Sequence, residues 1–104
     1  MGVKNGMIRV IYRWKVRKTD EEKFRTAWAK ATTRIRESTV GARGSILLQS
    51  HQDPTEFITI ARWDKIEDWQ TFWKDPSRTE MQDMHAMAER LSADAFDEVE
   101  DHTV

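Results

Sequence analysis

Hydrophobic and polar positions alternate in residues 7–16, the first clearly patterned stretch of the chain. Successive side chains of a strand point to opposite faces of a sheet, so this alternation predicts a strand. Its even-numbered face is apolar or aromatic and consists of Ile8, Val10, Tyr12, Trp14 and Val16. Residues 1–6 lack the pattern and are interpreted as a leader.

The period then changes to that of a helix. Apolar residues recur three or four positions apart at Phe24, Ala27, Trp28, Ala31 and Ile35. Such spacing places them in one stripe on a helix. Thr19 and Glu22 have the spacing of a capping box, and Gly41 is typical of a residue that ends a helix.

A hairpin is predicted next. Residues 45–50 form a short apolar run, and residues 57–63 are rich in β-branched and aromatic side chains. The polar segment between them contains Asp53 and Pro54, which favour a turn. Two strands joined by this turn are therefore expected.

A second helical region and a last strand complete the pattern. Asp64 is interpreted as the cap of a helix whose apolar face holds Ile66, Trp69, Phe72 and Trp73. Pro76 interrupts it and holds the preceding Asp75 away from helical geometry. A further helical piece is predicted with Met81, Met84, His85, Ala88 and Leu91 facing inward. The last strand is expected at residues 94–102, where Phe96 and Val99 are apolar.

This order of elements is the βαββαβ plan of ferredoxin-like α+β folds, an antiparallel sheet with two helices on one face. Two strands nevertheless carry apolar residues on both faces, as Val10 beside Ile11 and Phe57 beside Ile58 show. A sheet face that meets water should be polar. A second copy of the chain is the simplest cover, so a homodimer is expected.

Length and composition narrow the class of protein. The chain has 104 residues, which fits a single domain over residues 7–102. It has no Cys, which excludes disulfides and thiolate chemistry and suits a cytoplasmic location. The net charge of −1 and the lack of a long apolar run indicate neither nucleic acid nor membrane as a partner. The basic start and acidic end are interpreted as neighbouring strands with paired charges.

Residues 57–76 carry a family resemblance. They read Phe-Ile-Thr-Ile-Ala-Arg-Trp-Asp-Lys-Ile-Glu-Asp-Trp-Gln-Thr-Phe-Trp-Lys-Asp-Pro, a strand ending in Trp, an acidic helix start, aromatics on the helix face and a break. This stretch resembles the antibiotic biosynthesis monooxygenase (ABM) family of dimeric α/β barrels. The resemblance implies a homodimer with a barrel between two sheets. It also implies a pocket in each subunit, between its sheet and its helices.

The same resemblance implies three alternative functions. The first is cofactor-independent monooxygenation of a small phenol, quinol or anthrone-like aromatic, with no metal and no cofactor. The second is binding or degradation of haem, for which Trp73 and His85 resemble residues of the haem-degrading branch. That branch also uses an Asn on the first strand, whereas the one Asn here, Asn5, precedes the strand. The third is a dimeric binding protein without catalysis.

Four residues are candidates for catalysis. His85 would move a proton or ligate haem iron, or else be a buried structural His. Tyr12 would donate a proton or hold a phenolic substrate, or else belong to the core. Arg13 or Arg62 would stabilise an oxyanion, or else form an ion pair across the dimer with an acidic residue of the last strand.

Four further residues are candidates for binding an aromatic ligand. Trp73 and Trp69 would stack on it from the second helix, and Trp14 and Met84 would complete the pocket wall. The alternative interpretation is that these large side chains fill the core between helices and sheet. The sequence alone does not decide between an open pocket and a filled one.

Overall fold

A computed structural model of the protein describes residues 7–104, so the proposed leader and Asn5 lie outside the described residues. The elements are β1 (Ile8–Val16), a short 3₁₀ turn (Lys18–Asp20), α1 (Glu21–Ser38), β2 (Ala42–Gln49), β3 (Glu56–Trp63), α2 (Ile66–Lys74), α3 (Gln82–Met87) and β4 (Ala88–Asp97). The four strands form one antiparallel sheet in the order β2-β3-β1-β4. The predicted ferredoxin-like α+β class is confirmed.

The inner face of the sheet carries the core. The even residues of β1 are all buried, and they pair in register with the odd residues of β3, as Tyr12 does with Thr59 and Trp14 with Phe57. Helix α1 contributes its buried stripe of Phe24, Ala27 and Ala31. The predicted periodicities of β1 and α1 therefore identified the residues that pack between sheet and helix.

Both helix caps predicted from the sequence are wrong. Thr19 lies inside the 3₁₀ turn, and α1 begins after Asp20 without a side-chain cap. Helix α2 begins after Lys65, also without a side-chain cap. Asp64 instead accepts hydrogen bonds at 2.8 and 2.9 Å from Arg43 on β2. The Asp64 carboxylate therefore pairs with Arg43 on the neighbouring strand instead of capping the helix.

The last strand also differs from the prediction. Helix α3 ends at Met87 and β4 begins at Ala88, whereas a helix through Leu91 and a strand at residues 94–102 were expected. The free edge of β1 explains the difference, because Val16 to Ile8 pair with Ala88 to Asp97 along the whole strand. Satisfying those backbone groups outweighs the helical spacing of the side chains.

One irregularity in β4 changes the direction of its side chains. Trp14 pairs with Arg90, but the next β1 residue, Arg13, pairs with Ser92, so Leu91 is an extra residue in β4. Such a β-bulge shifts the alternation of a strand by one position. Arg90 therefore shares the inner face with Trp14.

No helix of residues 7–104 packs on the outer face of the sheet, which is apolar at its centre. Ile46, Ile60 and Ile11 lie side by side on β2, β3 and β1. Two large side chains of this face, Ile46 and Phe96, are 52% and 53% exposed. The expectation of a second apolar face is met. No helix within residues 7–104 is long and apolar enough to cross a membrane.

Two glycines with positive φ, Gly41 in the turn between α1 and β2 and Gly44 within β2, give a matched test of the contact between that turn and α2. A Cβ on Gly41 would lie 2.7 Å from Cγ of Asp68 on α2, whereas one on Gly44 would meet nothing closer than Arg36 Cδ at 3.8 Å. We expect Gly44→Ala to cost about 1–2 kcal/mol for its backbone conformation alone. Gly41→Ala should cost a further ~1–3 kcal/mol from the clash. Urea unfolding measures both, and equal losses would contradict the described contact between the turn and α2.

Candidate functional site

Aromatic side chains from β1 and α2 meet on the inner face of the sheet. Trp69 and Trp73 lie four residues apart on α2 and so share one side of the helix. Trp69 Nε1 donates a hydrogen bond to the Tyr12 hydroxyl at 3.1 Å. The Trp73 ring stacks on Tyr12 with centroids 6.0 Å apart and an interplanar angle of 21°. These three candidates from the sequence are therefore brought together.

Trp14 and His85 continue this cluster toward α3. Their ring centroids are 5.3 Å apart, and Trp14 also lies edge-on to Tyr12 at 6.2 Å. Trp14 is fully buried, and its Nε1 donates to Thr59 Oγ1 at 3.2 Å. His85 is exposed, since α3 presents it at the rim of the cluster. The structure thus places Trp14 in the core and leaves His85 accessible to a ligand.

Arg90 completes the cluster and was missed by the sequence analysis. Its guanidinium lies 4.6 Å from the centroid of Trp73 and 5.8 Å from that of Tyr12, in cation–π geometry. Its Nη1 lies 3.4 Å from a ring nitrogen of His85. A helix was expected at this position, and no pattern in the sequence indicates the bulge that turns Arg90 inward.

Arg90 has no acidic partner within the part of the chain that the structure describes. The ion pairs of residues 7–104 involve other cations, including Arg78 with Glu80 at 3.2 Å. A partly buried guanidinium held only by aromatic rings and a His keeps its hydrogen-bond donors available. The arrangement can accept an anionic group of a ligand.

The surroundings keep both titratable side chains neutral near pH 7. Partial desolvation of His85 against the aromatic cluster lowers its pKa below the ordinary value, and the positive charge of Arg90 lowers this pKa further. Burial raises the pKa of the Tyr12 hydroxyl, against smaller opposing effects of Trp69 and Arg90. His85 is therefore available as a base, and Tyr12 remains a protonated phenol that can donate.

Two spaces border this cluster. An outer groove of about 200 Å³ is lined by Trp73, His85 and Arg90 together with Phe72 and Met81, and its rim also carries the polar residues Asp75, Arg78, Glu80 and Gln82. An inner cavity of about 50 Å³ lies between the sheet and α1, with Tyr12, Phe72, Met81 and Met84 in its wall. Phe72 and Met81 belong to both walls and therefore separate the two spaces. The pocket expected between sheet and helices exists, but the side chains of Phe72 and Met81 divide it.

The two arginine candidates lie apart from this cluster. Arg13 and Arg62 occupy outward positions of β1 and β3, although Arg62 also borders the inner cavity. Arg13 donates to Glu56 at 2.8 Å, and Arg62 lies 4.0 Å from Glu98, just beyond β4. Both arginines therefore contact carboxylates of their own chain, and the partner of Arg13 lies on β3 rather than on the last strand. The arginine that lies in the aromatic cluster is Arg90.

The paired charges expected for the chain ends are found only in part. Strands β1 and β4 are neighbours as predicted, and Arg9 Nε donates to Glu98 at 3.0 Å. Lys15 instead reaches Asp53 of the hairpin turn at 3.0 Å. Within residues 7–104, no group of three or more His, Cys, Asp or Glu side chains is arranged to hold a metal ion.

Comparison with known proteins adds a family. Residues 7–87 match the family model described as antibiotic biosynthesis monooxygenase. No curated protein matches the chain.

Solved structures share the fold. SnoaB from Streptomyces nogalater, a cofactor-independent oxygenase, is 15% identical with a TM-score of 0.71, covering 88% of this chain and 91% of its own. A candidate antibiotic biosynthesis monooxygenase from Nitrosomonas europaea is 17% identical with a TM-score of 0.72, covering 93% and 94%. A protein of unknown function from Bacteroides thetaiotaomicron is 20% identical with a TM-score of 0.71, covering 88% and 97%. At these identities the likeness shows the fold alone.

The contact between Arg90 and His85 predicts a linked titration. The His85 ring should titrate below its ordinary pKa of 6.5, as followed by the NMR shifts of its carbon-bound protons. Arg90→Gln should raise this pKa without restoring it fully, because burial is the larger cause. Arg13→Gln, on the opposite face, should leave it unchanged.

The direction in which folding stability changes with pH follows from the same lowered pKa of His85. The folded protein binds the His85 proton less readily than the unfolded chain, so folding stability should fall as pH drops from 6.5 through the lowered pKa. A His85 midpoint at or above 6.5, or one insensitive to Arg90→Gln, would contradict the described contact.

Proposed function

Because the chain belongs to the antibiotic biosynthesis monooxygenase family, we propose that it is a monooxygenase that oxidises a small aromatic substrate with dioxygen and no bound cofactor. The observation that carries the proposal is the convergence of Trp73, His85 and Arg90 on one accessible groove above Tyr12. The description of SnoaB as cofactor-independent supports the same chemistry.

The groove suits a phenol, quinol or anthrone-like substrate. Trp73 is 40% exposed, so its ring offers an aromatic wall that is already held in place by Tyr12 and Trp69. A bound phenolate or enolate would direct its oxygen to the guanidinium of Arg90, whose donors meet no carboxylate of the described residues. This contact strengthens as the substrate becomes an anion, which is the condition for catalysis rather than mere binding.

His85 would generate that anion. Its ring is neutral near pH 7 and borders the same groove, so a ring nitrogen can remove the substrate's acidic proton. Arg90 lowers the basicity of His85 while it stabilises the product of the proton transfer. In the first step, His85 therefore removes the proton and Arg90 stabilises the resulting anion.

Oxygenation then needs only the substrate's own electrons. The anion passes one electron to dioxygen, the resulting pair of radicals couples to form a carbon–oxygen bond, and the distal oxygen takes a proton to give a hydroperoxide. Loss of the hydrogen on that carbon and cleavage of the O–O bond leave a carbonyl and one water. One CH₂ of an anthrone or one ring C–H of a phenol is thus converted to C=O, and both atoms of O₂ are accounted for.

Tyr12 is the proton donor that we assign to the peroxide. Its hydroxyl accepts a hydrogen bond from Trp69 and keeps its own proton, and burial holds it in the protonated form. It is 5% exposed and lines the inner cavity rather than the outer groove, so this donation requires the peroxide oxygen to reach past the shared wall of Phe72 and Met81. His85, once protonated, restores the balance of protons.

Haem fits this groove poorly. Iron would need a free ring nitrogen of His85, and the guanidinium of Arg90 lies against one of them at 3.4 Å. A second cation at that position opposes binding of a metal ion. We therefore assign haem no part in the proposed reaction.

A homodimer is part of the proposal. The outer sheet face has isoleucines at its centre and exposed Leu48 and Phe96 beside them, and no helix of the described residues covers it. A second copy related by two-fold symmetry would bury this face against its own equivalent.

Oxygen consumption tests the reaction. With a panel of quinols and anthrones, we expect turnover that is unchanged by metal chelators and by added flavin. His85→Gln should lower kcat by ~10²–10⁴-fold, and Arg90→Gln by ~10²–10³-fold. Arg13→Gln serves as the matched control because it removes the same charge from the opposite face, and it should retain activity.

Two results would reject this assignment. One is a complete lack of oxygen uptake across the panel in folded protein. The other is a Soret shift on adding haemin that disappears in His85→Ala, since this would assign His85 to haem instead.

The dimer has a separate test. Ile46→Lys should give a monomer in sizing chromatography, because it places a charge at the centre of the proposed interface. Val40→Lys makes the same change at a position that is 81% exposed in the turn before β2, and it should remain dimeric. A wild-type monomer at micromolar concentration would contradict the proposed assembly.

A further inference from the structure

Helices α2 and α3 are joined by residues 75–81, which we call the linking segment. Most of its side chains are exposed, and only Arg78, Glu80 and Met81 are partly buried. The backbone hydrogen bonds that this part of the described chain makes stay within residues 72–85. Side-chain contacts rather than backbone pairing therefore hold the linking segment against the rest of the domain.

Arg78 connects the linking segment to the end of α1. Its Nη2 donates a hydrogen bond to the Thr39 hydroxyl and lies 3.4 Å from the Ser38 hydroxyl. Its Nε donates to Glu80 at 3.2 Å, and its guanidinium lies 5.1 Å from the centroid of the Phe72 ring. A planar guanidinium can serve several acceptors at once, so this one side chain joins α1, α2 and the linking segment.

Met81, at the other end of the linking segment, forms part of the wall between the outer groove and the inner cavity. The other part of that wall, Phe72, is buried and packs against Trp63 with ring centroids 5.5 Å apart. Met81 is only partly buried, and its unbranched side chain adapts to several positions. Of the two wall residues, Met81 is therefore the one that can move.

The proposed reaction requires this wall to open. Tyr12 lines the inner cavity and not the outer groove, whereas His85 and Arg90 line the groove and not the cavity. The Tyr12 hydroxyl accepts from Trp69 and keeps its own proton, so it has a donor to offer. Groups that act on one substrate must reach it together. Withdrawal of Met81 would bring all three groups to one connected space.

The linking segment can move away from α1 without unfolding. Its first turn is fixed internally, since Asp75 Oδ1 accepts hydrogen bonds from Ser77 N at 2.9 Å and from Ser77 Oγ at 2.6 Å. The hydroxyls of Ser38 and Thr39, which hold Arg78, are exposed and partly exposed. Water can replace such contacts, so their net contribution is modest and the attachment is reversible.

We propose that the linking segment is a lid, latched by Arg78 to the end of α1, whose opening withdraws Met81 and joins the outer groove to the inner cavity. The lid itself rests on the contacts of Arg78 and Met81, and its role in catalysis rests on the proposed function. In the closed arrangement, the wall separates Tyr12 from the groove. In the open arrangement, the Tyr12 hydroxyl meets the substrate.

Nitration by tetranitromethane measures the opening without any turnover. Tyr12 is the only tyrosine of the chain, and there is no cysteine to compete for the reagent. Its 5% exposure predicts a slow reaction in the wild-type protein. Arg78→Gln should raise the nitration rate about ten-fold, because it removes the charge-assisted hydrogen bonds that hold the lid closed. Thr39→Val removes one of these bonds, should raise the rate about three-fold, and preserves the test should Arg78→Gln fail to fold.

Two control variants exclude other causes of faster nitration. Arg25→Gln removes an arginine that pairs with Glu21 on α1, and it should leave the rate unchanged. Val16→Ala lowers global stability by removing buried methyl groups outside both walls, and it should raise the rate less than Arg78→Gln does. Absorbance titration of the phenol in each variant corrects the rates for any change in the pKa of Tyr12.

A double variant tests whether the latch acts through the wall. Met81→Ala shortens the wall and should raise the nitration rate of Tyr12 even with the latch intact. Adding Arg78→Gln to Met81→Ala should then give little further increase, because the wall is already open. Two increases that simply multiply in the double variant would overturn the connection between Arg78 and Met81.

The outcomes separate the lid from the proposed function. A nitration rate unaffected by Arg78→Gln and by Thr39→Val would overturn the lid, and oxygen uptake by the same protein would leave the monooxygenase intact. Faster nitration in these variants without oxygen uptake for any aromatic would support the lid and reject the monooxygenase. Faster nitration together with oxygen uptake supports both.

Discussion

The pairing of β1 with β4 is the interaction on which the rest of the molecule depends. Strand β1 lies between β3 and β4, its even residues build the core and its odd residues face outward. The bulge at Leu91 shifts β4 by one position beside Trp14, which brings Arg90 onto the inner face. Without that shift, alternation would turn the guanidinium away from the aromatic cluster.

Placing a cation beside aromatic rings has consequences for the whole site. Arg90 lies over Trp73 and Tyr12, contacts His85 and lowers its pKa. The same guanidinium thus holds the rings together, keeps the neighbouring base neutral and offers donors to an anion. These three effects have one geometric cause, and the reaction that we propose uses each of them.

Much of the fold followed from periodicity, and the failures have identifiable causes. The alternation along β1 and the apolar stripe on α1 predicted correctly which side chains are buried, because in both elements the spacing of apolar residues matches the geometry of the element. The end of α3 was predicted wrongly. Met84, His85 and Leu91 have helical spacing, but the free edge of β1 pairs with a strand that begins at Ala88. Capping by Asp64 failed because Arg43 competes for its carboxylate across the sheet.

The sequence predicts the residues of the site that depend on residue type. It does not predict the one that depends on the register between β1 and β4. Tyr12, Trp69 and Trp73 are aromatic residues that the structure brings into contact, and His85 lies at the rim against Trp14. Arg90 is unremarkable in the sequence, since a single extra residue in a strand decides which face it joins. That register is set by pairing between strands far apart in the sequence, so the residues next to Arg90 do not indicate it.

The position of the Arg90 side chain is the most direct test of this description. In NMR spectra, its Cδ protons should show nuclear Overhauser contacts to the rings of Trp73 and Tyr12 and an upfield ring-current shift. Contacts to Ile11 and other outward residues, with unshifted Cδ protons, would contradict the bulge and the site built on it.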